Sequence, residues 1–278
     1  MTPASASPDF PPSWPPPWRG ATREDGVALP YRVEGTGAPL ILVPGLGGCS
    51  RLFGTLPRTL ARLGWQAIVY DPPGLGLVQD HPGTWSFETA ALDLLALMQA
   101  EGLERTHLLG TSLGGKVSAW FMAHHPDLVV EAFFYGTEAS GSARALAVYD
   151  FWESVFRDLP EERIFKTIRP FLFGAVFQQK RARLLDDLAR SFSPGHAELR
   201  TTLQQVEALR SARFPEILKE VPHPVLCHAG LEDSLVLPSD VEATARDLPA
   251  GRYRSVERAG HSMLLENAEA CLQALRRS

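Results

Sequence analysis

Cysteine is scarce in this chain: three among 278 residues, Cys49, Cys227 and Cys271, an odd count with no C-x-x-C spacing. That pattern argues against a disulfide framework and a thiolate zinc site, and it suits a reducing cytoplasm. An excess of basic charge is also missing. Lys and Arg total 27 against 32 Asp and Glu, a formal net charge of -5, so nucleic acid and anionic membrane surfaces are not expected partners. No apolar run is long enough to span a bilayer, and the N-terminus lacks the charged start and apolar segment of a signal peptide. No two histidines have the H-x-x-x-H spacing of a metal site; no metal and no cofactor are expected. What remains is an ordinary globular composition, 45% hydrophobic and 21% charged, long enough for one large domain or a domain carrying an insertion.

Residues 1–20 hold 7 of the 23 prolines and read as a flexible, non-catalytic leader, with Trp14 and Trp18 able to pack back onto the domain. Asp25-Gly26 then marks a hairpin turn ahead of a strand from Val27 to Glu34. The continuous apolar run Leu40 to Val43 reads as a strand covered on both faces, and it stops in Pro44-Gly45-Leu46-Gly47-Gly48. A helix is expected over 51–63, a strand over 66–70 ending in Asp71-Pro72-Pro73-Gly74, and a helix over 87–100 with Ser86 as N-cap and Gly102 as terminator. After a strand at 107–109 come a helix over 115–125 and a strand over 129–135. This alternation predicts a mostly parallel α/β sheet with helices on both faces, and an active site at the carboxyl ends of its strands.

From 137 to 215 the rhythm changes to helical patterns rich in aromatics, among them Tyr149, Trp152, Phe156, Phe165 and Phe173. An inserted helical cap is the natural reading, which divides the chain into a leader (1–20), a core (21–136 and 216–278) and a cap (137–215). Strands are expected again over 224–229 and 252–256, and a closing helix from about Glu266.

The motif that organises the chain is Gly110-Thr111-Ser112-Leu113-Gly114, a G-x-S-x-G between a strand and a helix. A serine at the apex of so sharp a turn is strained and projects its hydroxyl outward, while glycines two positions away avoid crowding against strand and helix. The following N–H, that of Leu113, stands at the positive end of the new helix, where it can meet a carbonyl oxygen. His107, His124, His125 and His228 read as packed or capping histidines, and Cys49 as a small buried apolar residue.

With GTSLGG, LILVPGLGG, DPPGLG, GLEDSLVLP and RAGHSMLLE in this order, the chain resembles a serine hydrolase of the α/β-hydrolase superfamily, esterase- or lipase-like with a helical cap. The resemblance runs from residue 22 to the end. It implies Ser112 as nucleophile, His261 as general base and acid, Asp233 as the carboxylate that orients the imidazole, and an oxyanion hole made by the N–H groups of Leu46 and Leu113. The acid has two other candidates, Glu138 and Glu232. Ser at 112 rather than Asp argues against the dehalogenase and epoxide hydrolase branches. The chain departs from the family in having Pro44 where a histidine usually braces the oxyanion loop, and Pro73 where an arginine is common. The implied substrate is a small, apolar acyl compound such as a carboxylic ester. A lactone, a thioester, a carbon–carbon bond or acyl transfer would use the same constellation, and a non-catalytic binding protein could keep it.

Overall fold

The apolar runs of the sequence become the middle of a sheet whose two faces are both covered. The computed structural model describes residues 17–79, 81, 83–139, 142–192 and 194–276. Residues 1–16, most of the proline-rich stretch and with it Trp14, lie outside the described residues. In chain order the elements are β1 (Arg19–Thr22), β2 (Ala28–Glu34), β3 (Ala38–Val43), α1 (Leu56–Arg62), β4 (Trp65–Tyr70), α2 (Phe87–Ala100), β5 (Thr106–Thr111), α3 (Leu113–His124) and β6 (Val129–Tyr135). Six helices follow: α4 (Ala143–Asp158), α5 (Glu161–Leu172), α6 (Ala175–Lys180), α7 (Ala182–Ser191), α8 (His196–Ser211) and α9 (Phe214–Lys219). The sheet then resumes with β7 (Val225–Gly230), α10 (Pro238–Asp247), β8 (Gly251–Val256), α11 (Met263–Glu266) and α12 (Ala268–Leu272).

The strand order is β1-β2-β4-β3-β5-β6-β7-β8. β1 and β2 pair antiparallel, as do β2 and β4, and every other neighbouring pair is parallel. Successive side chains of the parallel strands point to opposite faces. Ile41, Val43, Leu108, Ala132 and Phe134 therefore enter one core with α2, α3 and α10, whereas Leu40, Leu42, Leu109, Phe133 and Tyr135 enter a second with α1 and α12. Burial on both faces is why these strands carry no polar alternation, and each fully buried Leu, Ile or Phe contributes about 1.5–3 kcal/mol.

Several local expectations are modified. β1 begins at Arg19, inside the stretch read as leader, where Arg19 ↔ Tyr31 starts its ladder with β2. The helix expected over 51–63 is two pieces, a 3-10 turn Ser50–Phe53 and α1, because Gly54 turns the chain at φ 47°. The helix α10 was not anticipated at all: its first residue is Pro238, and Val241, Thr244 and Ala245 form its buried face. The closing helix starts early, at Met263, and breaks at Asn267, whose side chain caps α12. α2 has the bounds read from its Ser86 cap, which Thr89 completes as a capping box.

Register delivers the site. Val43 pairs with Gly110, Thr111 with Tyr135, Tyr135 with His228 and Gly230 with Val256, so the carboxyl ends of β3, β5, β6, β7 and β8 lie in one row. The loops that follow them carry Leu46, Ser112, Glu138, Asp233 and His261.

Candidate active site

Ser112 joins β5 directly to α3 at φ 51°, ψ -114°, and Arg258 is the one other non-glycine residue with positive φ among the described residues. Such a conformation costs on the order of 1–3 kcal/mol and is held only where neighbours over-determine it. Here the Ser112 N–H donates to Tyr135 O at 2.8 Å, and its carbonyl accepts from Gly115 N and Thr137 Oγ1, both at 3.0 Å. The close approach that makes the turn possible needs glycine at 114, where a Cβ would stand 2.1 Å from Val43 O. α3 thus starts at Leu113, two residues earlier than its apolar pattern suggests. Neither the Leu113 N–H nor the Leu46 N–H has a hydrogen-bond acceptor among the described residues.

Asp233 follows β7 and is buried. Its Oδ1 accepts the N–H groups of Leu235 and Val236, each at 2.9 Å, and its Oδ2 lies 2.8 Å from His261 Nδ1. An ionised carboxylate only accepts, so the proton of this contact belongs to Nδ1 and the lone pair of the neutral ring to Nε2. Burial alone pulls the His261 imidazolium down, but the charge and hydrogen bond of Asp233, with a smaller contribution from Glu266, outweigh it and raise the group above the ordinary histidine value. Gly136, at the end of β6, is the next wall of the site, since a Cβ there would stand 3.0 Å from His261 Nδ1. No hydrogen bond joins Ser112 Oγ to His261 among the described residues.

The two alternative acids are occupied elsewhere. Glu138 Oε2 stands 3.5 Å from Lys116 Nζ, itself 2.6 Å from Tyr149 Oη and over the rings of Tyr149 and Phe214. Glu232 Oε2 accepts the Val176 N–H at 3.2 Å. Cys49 is buried beside the glycine-rich loop that follows β3, and burial and the Asp71 charge push its thiol up, away from the reactive thiolate. His228 stacks on Tyr135 at 4.3 Å, His124 on Trp120 at 3.8 Å, and His107 Nδ1 bonds Pro39 O at 3.0 Å. No cluster of three or more His, Cys, Asp or Glu side chains among the described residues could hold a metal ion.

Contacts between the helical insertion and the strand-end loops escaped the sequence. The Ser262 N–H donates to Leu172 O at 2.8 Å, and Glu266 Oε2 accepts both the Gly174 and the Gly260 N–H, at 2.8 and 3.0 Å. Arg144 Nη1 donates to Leu235 O at 2.7 Å. From α8, Gln205 Oε1 accepts the Gly47 N–H at 2.8 Å, and Glu198 Oε1 accepts the Gly76 N–H at 3.2 Å and bonds Arg51 at 3.1 Å. On the loop side Gly47, Gly76, Leu235, Gly260, Ser262 and Glu266 stand within the motifs of the sequence. Their partners Arg144, Leu172, Glu198 and Gln205 lie in helices with no signature, far away in sequence. The insertion's aromatics pack largely on one another, with Trp152 stacked on Phe156 at 5.3 Å and Phe173 on Phe177 at 5.7 Å. A groove of about 720 Å³ between α4 and α8 is lined by Phe156, Leu199 and Leu203, on a different face of α8 from Gln205, and includes neither Ser112 nor His261.

Known proteins with this arrangement are numerous. A protein named "Putative carbamate hydrolase RutD", from Pseudomonas savastanoi pv. phaseolicola, is 27% identical over 237 residues, which span 84% of this chain and 90% of that protein. The structure of a thermophilic esterase from Thermogutta terrifontis superposes with a TM-score of 0.80 at 25% identity, covering 93% of this chain and 96% of the esterase. The enol-lactonase of Burkholderia xenovorans LB400 shares the fold with a TM-score of 0.81 at 22% identity, over 92% and 98% of the two chains. The sequence profile of the alpha/beta hydrolase fold matches residues 38–268. With that profile spanning β3 to β8, the serine turn and the histidine loop, the chain belongs to the α/β hydrolase fold family.

Proposed function

We propose that this protein is a serine hydrolase that cleaves a carboxylic ester or related acyl compound through an acyl-enzyme on Ser112. A serine hydroxyl is a weak nucleophile until a base takes its proton, and His261 Nε2, left as acceptor by the Nδ1–Asp233 bond, is that base. Ser112 Oγ adds to the acyl carbon as its proton passes to Nε2. The carbonyl electrons move to oxygen, which receives the N–H groups of Leu46 and Leu113. Each such donor is worth about 2.7–4 kcal/mol at the transition state. Collapse of the adduct expels the alcohol, which takes the proton from Nε2 and leaves the acyl group on Oγ. Water, deprotonated by the same nitrogen, then repeats the addition, and the acid leaves with Ser112 restored.

The observation that carries this reading is the 2.8 Å bond between Asp233 and His261 in loops next to a serine held at positive φ. The two donor N–H groups with no acceptor among the described residues support it further. The names of two relatives, a putative carbamate hydrolase and an esterase, describe cleavage at an acyl carbon. Residues 137–215 act as a cap over the site, and the contact of Phe173-Gly174 with Gly260 brings an aromatic segment beside the histidine loop, which favours apolar acyl groups.

The test is a screen of p-nitrophenyl esters, lactones and acyl thioesters against the wild type and Ser112→Ala. Turnover of short to medium acyl esters, lost by a factor on the order of 10⁶ in the variant, is expected. Equal turnover by both proteins, or a preference for one charged substrate, contradicts the proposal.

A further inference from the structure

The oxyanion loop is built mostly of glycine. Gly45, Leu46, Gly47 and Gly48 make a tight turn closed by the Gly48 N–H on Gly45 O at 3.0 Å, and Gly47 at its third position has φ 63°. The Gly48–Gly45 bond orients the Gly45–Leu46 peptide, and with it the Leu46 N–H, inside the turn, while glycine at three of its four positions leaves the seating of the turn to contacts from elsewhere. Pro44 restricts the backbone on the entry side but offers no side-chain donor or acceptor to brace the loop. On the exit side the constraint comes from 158 residues away, where buried Gln205 of α8 takes the Gly47 N–H on its side-chain carbonyl at 2.8 Å. Thr202, one turn earlier on the same helix, closes over the glycine, its Oγ1 2.9 Å from where a Cβ of residue 47 would stand.

We propose that Gln205 is a positioning residue for the oxyanion hole: by holding the Gly47 N–H it fixes the turn, and so keeps the Leu46 N–H aimed at the substrate oxygen. The inference rests on the reading of Ser112 as nucleophile with Leu46 and Leu113 as oxyanion donors. It makes the hole a joint product of the core and the inserted helices. Seating of α8 then governs the rate of the chemical step as well as access to the site, because only the transition state carries the full negative charge on oxygen.

The test compares Gln205→Met, which keeps length and removes the acceptor, with Gln204→Met. Gln204 is a fair control because its Oε1 also ties the insertion to the core, on the Trp85 N–H at 3.0 Å, without touching the oxyanion loop. With p-nitrophenyl butyrate, Gln205→Met should lower kcat roughly 10- to 100-fold with KM within about threefold, and weaken a trifluoromethyl ketone inhibitor by the same factor as kcat/KM. Gln204→Met should stay within about twofold of wild type in kcat, whatever its effect on thermal stability. If Gln205→Met does not fold, Gln205→Asn, which withdraws the amide by one methylene, carries the same expectation. An unchanged kcat in a folded Gln205 variant overturns the proposal, as does an equal loss in Gln204→Met. Fluorophosphonate labelling separates the two levels: a labelled Ser112 with unaltered kcat in Gln205→Met removes the role of Gln205 alone, whereas a wild type that is not labelled at Ser112 removes the reading beneath it.

Discussion

Asp233 gives its two carboxylate oxygens separate tasks, Oδ2 accepting the His261 Nδ1–H at 2.8 Å and Oδ1 accepting the N–H groups of Leu235 and Val236 at 2.9 Å. The backbone donors fix which oxygen faces the imidazole. An asparagine at this position must keep its carbonyl on those N–H groups, which turns its NH₂ toward Nδ1 and demands a lone pair there. The imidazole proton then moves to Nε2, where it blocks acceptance from Ser112. Asp233→Asn should therefore fold normally and lose up to about 10⁴-fold in kcat near neutral pH, read by steady-state kinetics and circular dichroism. A folded variant with most of its activity would show that another carboxylate serves His261.

The same pair sets the pH dependence. Asp233 and Glu266 hold the imidazolium above the ordinary histidine value of 6.5, against the downward pull of burial. A base with a raised pKa becomes neutral at higher pH, so kcat/KM should climb through one ionisation lying above 6.5. Glu266→Gln should move that limb to lower pH while leaving its plateau nearly unchanged. A limb at ordinary or lower pH in the wild type would mean that His261 is not the group being read.

Glu138, the rival acid after β6, is assigned a different task by its partner. It stands 3.5 Å from Lys116, and both side chains are buried. Glu138→Gln should leave kcat within about twofold but lower stability, by about 1–3 kcal/mol, because the buried ammonium loses its counter-charge. Adding Lys116→Met should recover most of the loss in a thermal melt. Lower kcat at unchanged melting temperature would return Glu138 to the catalytic site.

His228 makes stability depend on pH by itself. It is wholly buried between Tyr135 and its neighbours in the sheet, neither ring nitrogen has a hydrogen-bond partner among the described residues, and burial, helped by the Arg254 charge, brings its pKa from 6.5 to about 4. Above 6.5 the folded and unfolded chains both hold it neutral and it contributes no slope. As pH falls from 6.5 toward 4 only the unfolded chain takes up the proton, so stability is lost over that window, by roughly 3 kcal/mol at its end. His228→Phe should flatten this part of the profile in urea titrations between pH 4 and 7, and an unaltered slope would show that other groups carry it.

How much of this was legible in the sequence follows from what is local and what is not. The strand β3 is legible because burial on both faces writes a continuous apolar run, and the helix α2 because Ser86 writes a cap. The serine turn was readable because Gly114 must approach Val43 O and nothing larger fits. α10 was missed although Pro238 marks its start, since only three residues of its face are buried and they blend into a polar stretch. Gln205 left no trace, because its partner is a backbone N–H 158 positions away and any helical glutamine looks the same. Glu138 and Asp233 could not be separated from each other by spacing alone. In the structure Glu138 stands by Lys116 and Asp233 by His261, partners that the fold brings to them.

The central claim is that Ser112 is the nucleophile, and the most direct measurement is peptide mapping by mass spectrometry after reaction with a fluorophosphonate. Attack by Ser112 Oγ on phosphorus expels fluoride and leaves one phosphonyl group, with His261 taking the proton. The account predicts a single adduct on the peptide containing Ser112, formed fastest where His261 is neutral and absent from Ser112→Ala. An adduct on Ser262 or Cys49 instead, or an unreactive Ser112 in a folded protein that still turns over esters, would contradict it.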